Sequence, residues 1–486
     1  MPALRRISFY FALVALVAIA FSDLEITTLN PWLELNLLLQ GFLAPSFLDL
    51  STLADAFFKT LAFAFQGVII AAILGFVLAL GFKRYWVRAF CAFIRSVHEL
   101  FWALLFIQIT GLSPLTGFIA ILIPFTGIFA KVFAEILDET DHHAQQSLTP
   151  NTAFLSQLLY TRFTIAWPQL RSYINYRLEC GIRSSAVLGF VGLPTLGFEL
   201  ESFFKQGDYA QAAALLYIFF ILIASLKYVL KPILMPLYTL AAFIYMPPVA
   251  HVSWSTVGVF LSQDIVPASL QAGDIPAFFS WFKQLWLTQI LEGVFNSLIL
   301  TQIALVSSAL LTLLLFPLAS KLFFSKAPRA MGQSLLIVMR SCPEYLLGFV
   351  GLLILGPSML PAIIALTLHN SAVIAHLLAL QSAQLTFRQD RSQGINLYFY
   401  ETLPRLYGNF LALLFYRWEV ILRETAILGM LGIPTLGFYI DSAFEEIRFD
   451  RAVVLILITA LLNILVDNIA VYFRRRLHLN SQPQSL

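Results

Sequence analysis

Most of this chain consists of long apolar runs, separated by short stretches that carry nearly all of its charged residues. Several runs reach the roughly 20 residues a helix needs to span the hydrocarbon layer of a membrane. They predict twelve spans. Six lie near 7–22, 60–82, 98–112, 117–137, 172–192 and 210–230, and six more near 233–247, 290–316, 335–355, 360–380, 407–431 and 451–471. The first run follows Arg5 and Arg6, lacks a clear small-residue cleavage site and has a counterpart later in the chain, so it reads as a retained span.

Composition agrees with a polytopic, all-α membrane protein. Apolar residues make up 59% of the 486 positions and charged residues 12%, while a soluble chain carries about twice that charge. The basic residues orient the spans. Arg5 and Arg6, Lys83 and Arg84, Arg162 and Arg171, Lys227 and Lys231, Lys321 and Lys326, Arg388 to Arg405, and Arg474 to Arg476 all fall on one side. The opposite loops, near 23–55 and 248–288, are acidic or nearly uncharged. The positive-inside rule then puts both termini and the loops at 138–171 and 381–406 in the cytoplasm. Aromatic residues of Phe278 to Trp286 read as interfacial anchors. Cys91, Cys180 and Cys342 lie in apolar surroundings and read as packing residues.

Two segments say nearly the same thing. Tyr176 to Phe198 and Tyr416 to Phe438 align without a gap, with thirteen of twenty-three positions identical. The chain thus reads as two parallel copies of one unit, 1–231 and 232–486, each with about six transmembrane helices. Within each segment Glu179 and Arg183, or Glu419 and Arg423, stand four apart on one helix face. Charges inside a span pair with one another or face a polar cavity. The pairs are therefore either neutralised locks between helices or, with Arg177 and Arg417, the border of an anion pathway. Glu424 is an unmatched charge, because its partner position holds Ser184.

A dense glycine–proline pattern follows: Gly189, Gly192, Pro194 and Gly197, then Gly429, Gly432, Pro434 and Gly437. Glycine allows close backbone approach, and proline removes a donor and breaks the helix. The pattern reads either as a gate or pathway lining at a pseudo-two-fold axis, or as a tight turn between spans.

These residues resemble the Tyr-Arg-x-Glu-x-x-x-Arg-x-x-x-x-Leu-Gly-x-x-Gly pattern of the phosphonate-importer permease subunit, a type I ABC (ATP-binding cassette) importer permease. A second block agrees: Arg95 to Phe106 with Glu99 and Trp102, Gly111 to Pro114 and Phe129 to Glu135. In the second copy it reads Arg340 to Tyr345 with Glu344, Gly356-Pro357 and His369-Asn370-Ser371. The resemblance implies the type I importer transmembrane fold, with both permease halves fused in one chain. It also implies an ATPase-coupling surface before the fifth span of each copy. Gln145, Gln146, Pro150 and Asn151 stand there in the first copy, and Arg388, Arg391 and Gly394 in the second. The family's glycine is replaced by Asn151, and the second spacing is about three residues short, so the copies are expected to meet the ATPases asymmetrically.

No Gly-x-x-x-x-Gly-Lys-[Ser/Thr] loop occurs, so ATP is expected on a separate subunit, likewise no enzyme activity or cofactor in this chain. His142 and His143 read as solvated loop residues and His369 as polar packing; no metal site is expected. The expected partners are two ATPase subunits, an extracytoplasmic solute-binding protein and the lipid of a bacterial inner membrane, with no nucleic acid. The expected cargo is phosphonate, phosphite or a related small oxyanion. An ABC permease for another solute stays open, as does a stand-alone ion-coupled transporter or channel, which also uses parallel repeats and broken helices.

Overall fold

The computed structural model describes residues 2–47, 50–140, 152–229, 231–246, 252–387, 392–477 and 479. Among them the regular structure is helical and no strand forms. Among the described residues six helices are long and apolar enough to cross a membrane, and up to ten spans result if each of four sharply bent helix pairs counts as one. The chain is an all-α polytopic membrane protein.

In chain order the first longer helices are α1 (Pro2–Ile19), α2 (Pro31–Leu43), α3 (Leu50–Leu80), α4 (Tyr85–Ser96), α5 (Glu99–Thr110) and α6 (Pro114–Glu139). Next come α7 (Thr164–Val187), α8 (Leu196–Gln206), α9 (Tyr209–Val229), α10 (Met235–Tyr245), α11 (Ile275–Leu285) and α12 (Leu291–Ala319). The last are α13 (Lys326–Ser341), α14 (Glu344–Leu355), α15 (Met359–Ser382), α16 (Leu403–Leu428), α17 (Leu436–Glu445) and α18 (Phe449–Arg476). They gather into two compact units. The first unit includes Gly41–Val257; the second joins residues up to Gln40 to Gly258–Gln482.

In the first unit, α3 runs along α6 and α7, and its core face is closed by Phe63, Ala64 and Val68. The chain turns through 89° between α4 and α5, where His98 caps α5 by accepting from the Leu100 amide at 3.2 Å. Helix α10 belongs to this unit: Gln66 Nε2 donates to the Ala242 carbonyl at 2.8 Å and Tyr245 donates to Asp55 at 2.7 Å.

The second unit has a similar plan. There α12 runs along α15 and α16, and α13 meets α14 at 89°. Its outer layer includes α1, whose Phe11 ring packs edge-on against Phe415, Trp418 and Phe473. Gln302 Nε2 donates to the Phe11 carbonyl at 2.9 Å, and Tyr407 donates to Ser8 at 2.7 Å.

The packing units therefore group the chain differently from a cut at residue 231. Helix α1 precedes the first repeated segment yet packs with the second, and α10 follows the cut yet packs with the first. In lipid no water-driven collapse holds a helix to its sequence neighbours; close van der Waals fit and buried hydrogen bonds choose its partner.

The expected spans are corrected in two respects. The segment expected as one span at 335–355 is two helices with a right-angle turn at Cys342 and Pro343. A proline without an amide hydrogen, following an extended Cys342, cannot continue α13. The described helix within 233–247 has 11 residues, about 17 Å at 1.5 Å per residue, well short of the roughly 30 Å hydrocarbon core.

Candidate functional site

Each repeated segment ends one helix and begins another through the same local geometry. Helix α7 tightens into a 3-10 turn at Leu188–Val191, and α16 does so at Gly429–Leu431. Gly192 and Gly432 then adopt left-handed φ values of 88° and 89°, which an L side chain rarely takes. After Pro194 and Pro434, helices α8 and α17 leave at bends of 50° and 45°.

A hydroxyl from a neighbouring helix caps each new start. Thr60 Oγ1 on α3 accepts from the Leu196 amide at 2.9 Å, and Ser297 Oγ on α12 accepts from the Leu436 amide at 3.2 Å. These bonds satisfy amides that a helix start leaves without an internal partner. At Gly197 and Gly437 the new helix lies directly on the carbonyls of Ala186 and Ala426, and a Cβ would overlap those oxygens. Gly189 and Gly429 lie under the same turn, against Gly197 and Gly437.

The charged positions of the two copies diverge more than their glycines do. Arg183 and Glu179 are half-buried, with Arg183 donating to Cys180 Sγ at 3.3 Å. Glu419 is buried and Arg423 half-buried. Arg177 donates from Nε to Tyr173 at 2.8 Å and lies over the Tyr173 and Tyr176 rings. Its counterpart Arg417 instead donates from Nε to Asn370 Oδ1 at 2.7 Å.

Several residues join these sites that sequence reasoning had not assigned to them. In the first unit Glu99 accepts from the Ser184 hydroxyl and lies 3.1 Å from His98 Nε2. In the second, Glu344 lies 2.7 Å from His369 Nε2, and Asn370 Nδ2 donates to Glu424 at 3.1 Å. His369 is 2% exposed and also contacts the Cys342 carbonyl through Nδ1 at 3.0 Å. The available signal was positional: Glu99 and Glu344 each open the helix after a right-angle turn, within the blocks that match between copies.

Of the coupling candidates, Gln145, Gln146, Pro150, Asn151, Arg388 and Arg391 lie outside the described residues, as do His142 and His143. Gly394 opens a short helix with φ 59°. Wide π turns follow at Leu158–Phe163 and Leu397–Thr402, each presenting a tyrosine to the outside: Tyr160 is 81% exposed and Tyr400 78%. The two tyrosines occupy equivalent positions, 240 residues apart.

The chain is 23% identical over 482 residues to the phosphate-import permease protein PhnE of Mycolicibacterium smegmatis, covering 90% of this chain and 88% of that protein. The similarity is to import permeases. The phosphite transport system permease protein PtxC of Stutzerimonas stutzeri is 28% identical over 224 residues, 44% of this chain and 82% of that protein. A second phosphite permease of that organism, named as putative, is 26% identical over 195 residues, 38% of this chain and 69% of its own length. No family model and no solved structure matches the chain.

Proposed function

We propose that this chain is the transmembrane permease of an ATP-driven importer for phosphonate, phosphite or a related small oxyanion. The observation that carries the reading is similarity along 90% of the chain to an import permease. In this reading two permease halves are fused in parallel. A phosphite permease that matches 44% of this chain with 82% of its own length supports the fusion, since it has the size of one half.

The duplicated breaks at Gly192 and Gly432 then line or gate the route, with Arg177, Arg183, Arg417 and Arg423 favouring an anion beside Glu179 and Glu419. Two separate ATPase subunits sit beneath the loops at 138–171 and 381–406, and the chain itself hydrolyses nothing. A binding protein delivers the solute from outside. The basic residues support a bacterial inner-membrane location with both termini cytoplasmic.

The test is to co-purify the chain with the ATPase encoded beside it and measure ATP hydrolysis in liposomes, with and without the neighbouring binding protein. Hydrolysis stimulated by loaded binding protein, and lost on altering Gly394 and the 145–151 loop, is the expected result. A chain that purifies alone and moves solute down an ion gradient overturns the proposal.

A further inference from the structure

The arginines that end α18 do more than orient a span, because they close a cavity at the foot of an uncovered helix face. Helix α18 has 28 residues, about 42 Å at 1.5 Å per residue, which matches a bilayer of about 40–45 Å with its headgroup layers. Its last turn, carrying Arg474, Arg475 and Arg476, therefore reaches headgroup depth. Of the six long apolar spans, α18 is the least buried within the chain.

Its uncovered side is one continuous stripe. Leu457, Leu461 and Leu465 are exposed, and Asn468, Tyr472 and Arg475 continue the same face in steps of three or four residues. Leu465 precedes Arg475 by about 15 Å of helix, half of the roughly 30 Å hydrocarbon core. The apolar part of the stripe thus lies at acyl-chain depth and the polar part below it. An amide such as that of Asn468 is costly on a lipid-facing side unless a polar group meets it.

At the polar end Asn468, Val471, Tyr472, Arg475 and Arg476 line a cavity of about 470 Å³. Arg476 is held there: Nη1 donates to the Tyr472 hydroxyl at 3.1 Å, and the guanidinium lies 5.8 Å from the centre of the Tyr472 ring. Arg474 turns elsewhere, over the Tyr416 ring. Among the described residues neither Arg475 nor Arg476 makes an ion pair. The start of α1 adds Arg5 and Arg6, both exposed, since Phe11 on Phe473 and Ser8 on Tyr407 bring that end of α1 to the end of α18. The first unit lacks the pair, because Met235 and Pro236 stand 240 residues before Arg475 and Arg476.

Two guanidinium forks at a cavity suit the oxygens of a phosphate group. The leucine stripe that continues from the cavity suits hydrocarbon. A molecule with both parts in that order is a phospholipid. A headgroup that carries its own cation gains less from the arginines than an anionic one.

We propose that this groove is a binding site for one anionic phospholipid. Arg475 and Arg476 hold its phosphodiester, Asn468 meets its ester oxygens, and Leu465 and Leu461 receive an acyl chain. Tyr472 is a positioning residue that fixes Arg476. The site needs only the membrane class of the chain and is independent of the solute carried.

The experiment releases the full-length chain from nanodiscs holding equal amounts of phosphatidylglycerol and phosphatidylcholine with the same acyl chains. Native mass spectrometry then reads the ratio of the two lipids retained. Wild type is expected to favour phosphatidylglycerol at least about tenfold, and Arg475→Gln with Arg476→Gln less than about twofold. Tyr472→Leu keeps both charges but frees Arg476, and is expected to lower the ratio about threefold. If the arginine variant fails to insert, Tyr472→Leu decides.

Equal retention of the two lipids by wild type overturns the site. An unchanged ratio in Tyr472→Leu does so too, since general attraction to surface charge would then suffice. Excess inorganic phosphate is expected to leave the ratio unchanged; displacement of phosphatidylglycerol would assign the groove to a free anion and overturn the lipid.

Discussion

Substituting Gly437 by alanine tests the packing of the repeated break directly. The added Cβ would overlap the Ala426 carbonyl oxygen, far inside the 3.0 Å below which Cβ contacts essentially do not occur. The obstacle is backbone of α16, so relief requires moving α17 away rather than turning a side chain. That movement withdraws Leu436, 1% exposed, from its site and stretches the 3.2 Å bond from its amide to Ser297.

Overpacking of this kind costs about 1–3 kcal/mol and the weakened bond about 1 kcal/mol, giving a loss of about 2–4 kcal/mol. Gly432→Ala has open space around it but a φ of 89°, so backbone strain alone costs about 1–2 kcal/mol. Gly258→Ala, on an exposed helix with open space, is expected to be neutral or to gain up to about 1 kcal/mol. Unfolding of the full-length chain in mixed micelles, followed by tryptophan fluorescence against denaturing detergent, ranks the three. Gly437→Ala as stable as Gly258→Ala would refute the close approach of α17 to α16. Gly197→Ala should match Gly437→Ala, because Ala186 presents its carbonyl in the same way.

The placement of α1 gives a second prediction. Ser8→Ala and Tyr407→Phe should be non-additive in the same unfolding assay by about 1 kcal/mol, as expected for direct partners; additive losses would separate α1 from α16. Asn370→Ala leaves Arg417 Nε and Glu424 without their amide partner in a fully buried position, and should cost about 3 kcal/mol. A loss below about 0.5 kcal/mol would mean that the bridge is not formed.

The membrane class and most helix positions were legible because they depend on the local density of apolar residues, and the break at Gly192 and Gly432 because its glycines and prolines are adjacent in sequence. The matched charges were legible as residues but not as contacts. Arg177 and Arg417 occupy identical places in the alignment, yet one lies over Tyr173 and the other meets Asn370. Which of these forms depends on what a neighbouring helix offers, and no window of the chain contains that information. The segment expected as one span at 335–355 instead turns by 89° at Pro343, an angle that α13 and α14 take by packing on α15.

By itself, then, the sequence determined an all-helical membrane protein, a duplicated helix–turn–helix segment and the charged residues inside it, since apolar runs, glycine, proline and repetition act locally. Tertiary structure alone decided that α1 joins the second unit and α10 the first, and that Glu344, His369, Asn370, Arg417 and Glu424 form one cluster. Those outcomes are contacts between helices distant in the chain, chosen by the fit of side chains across them.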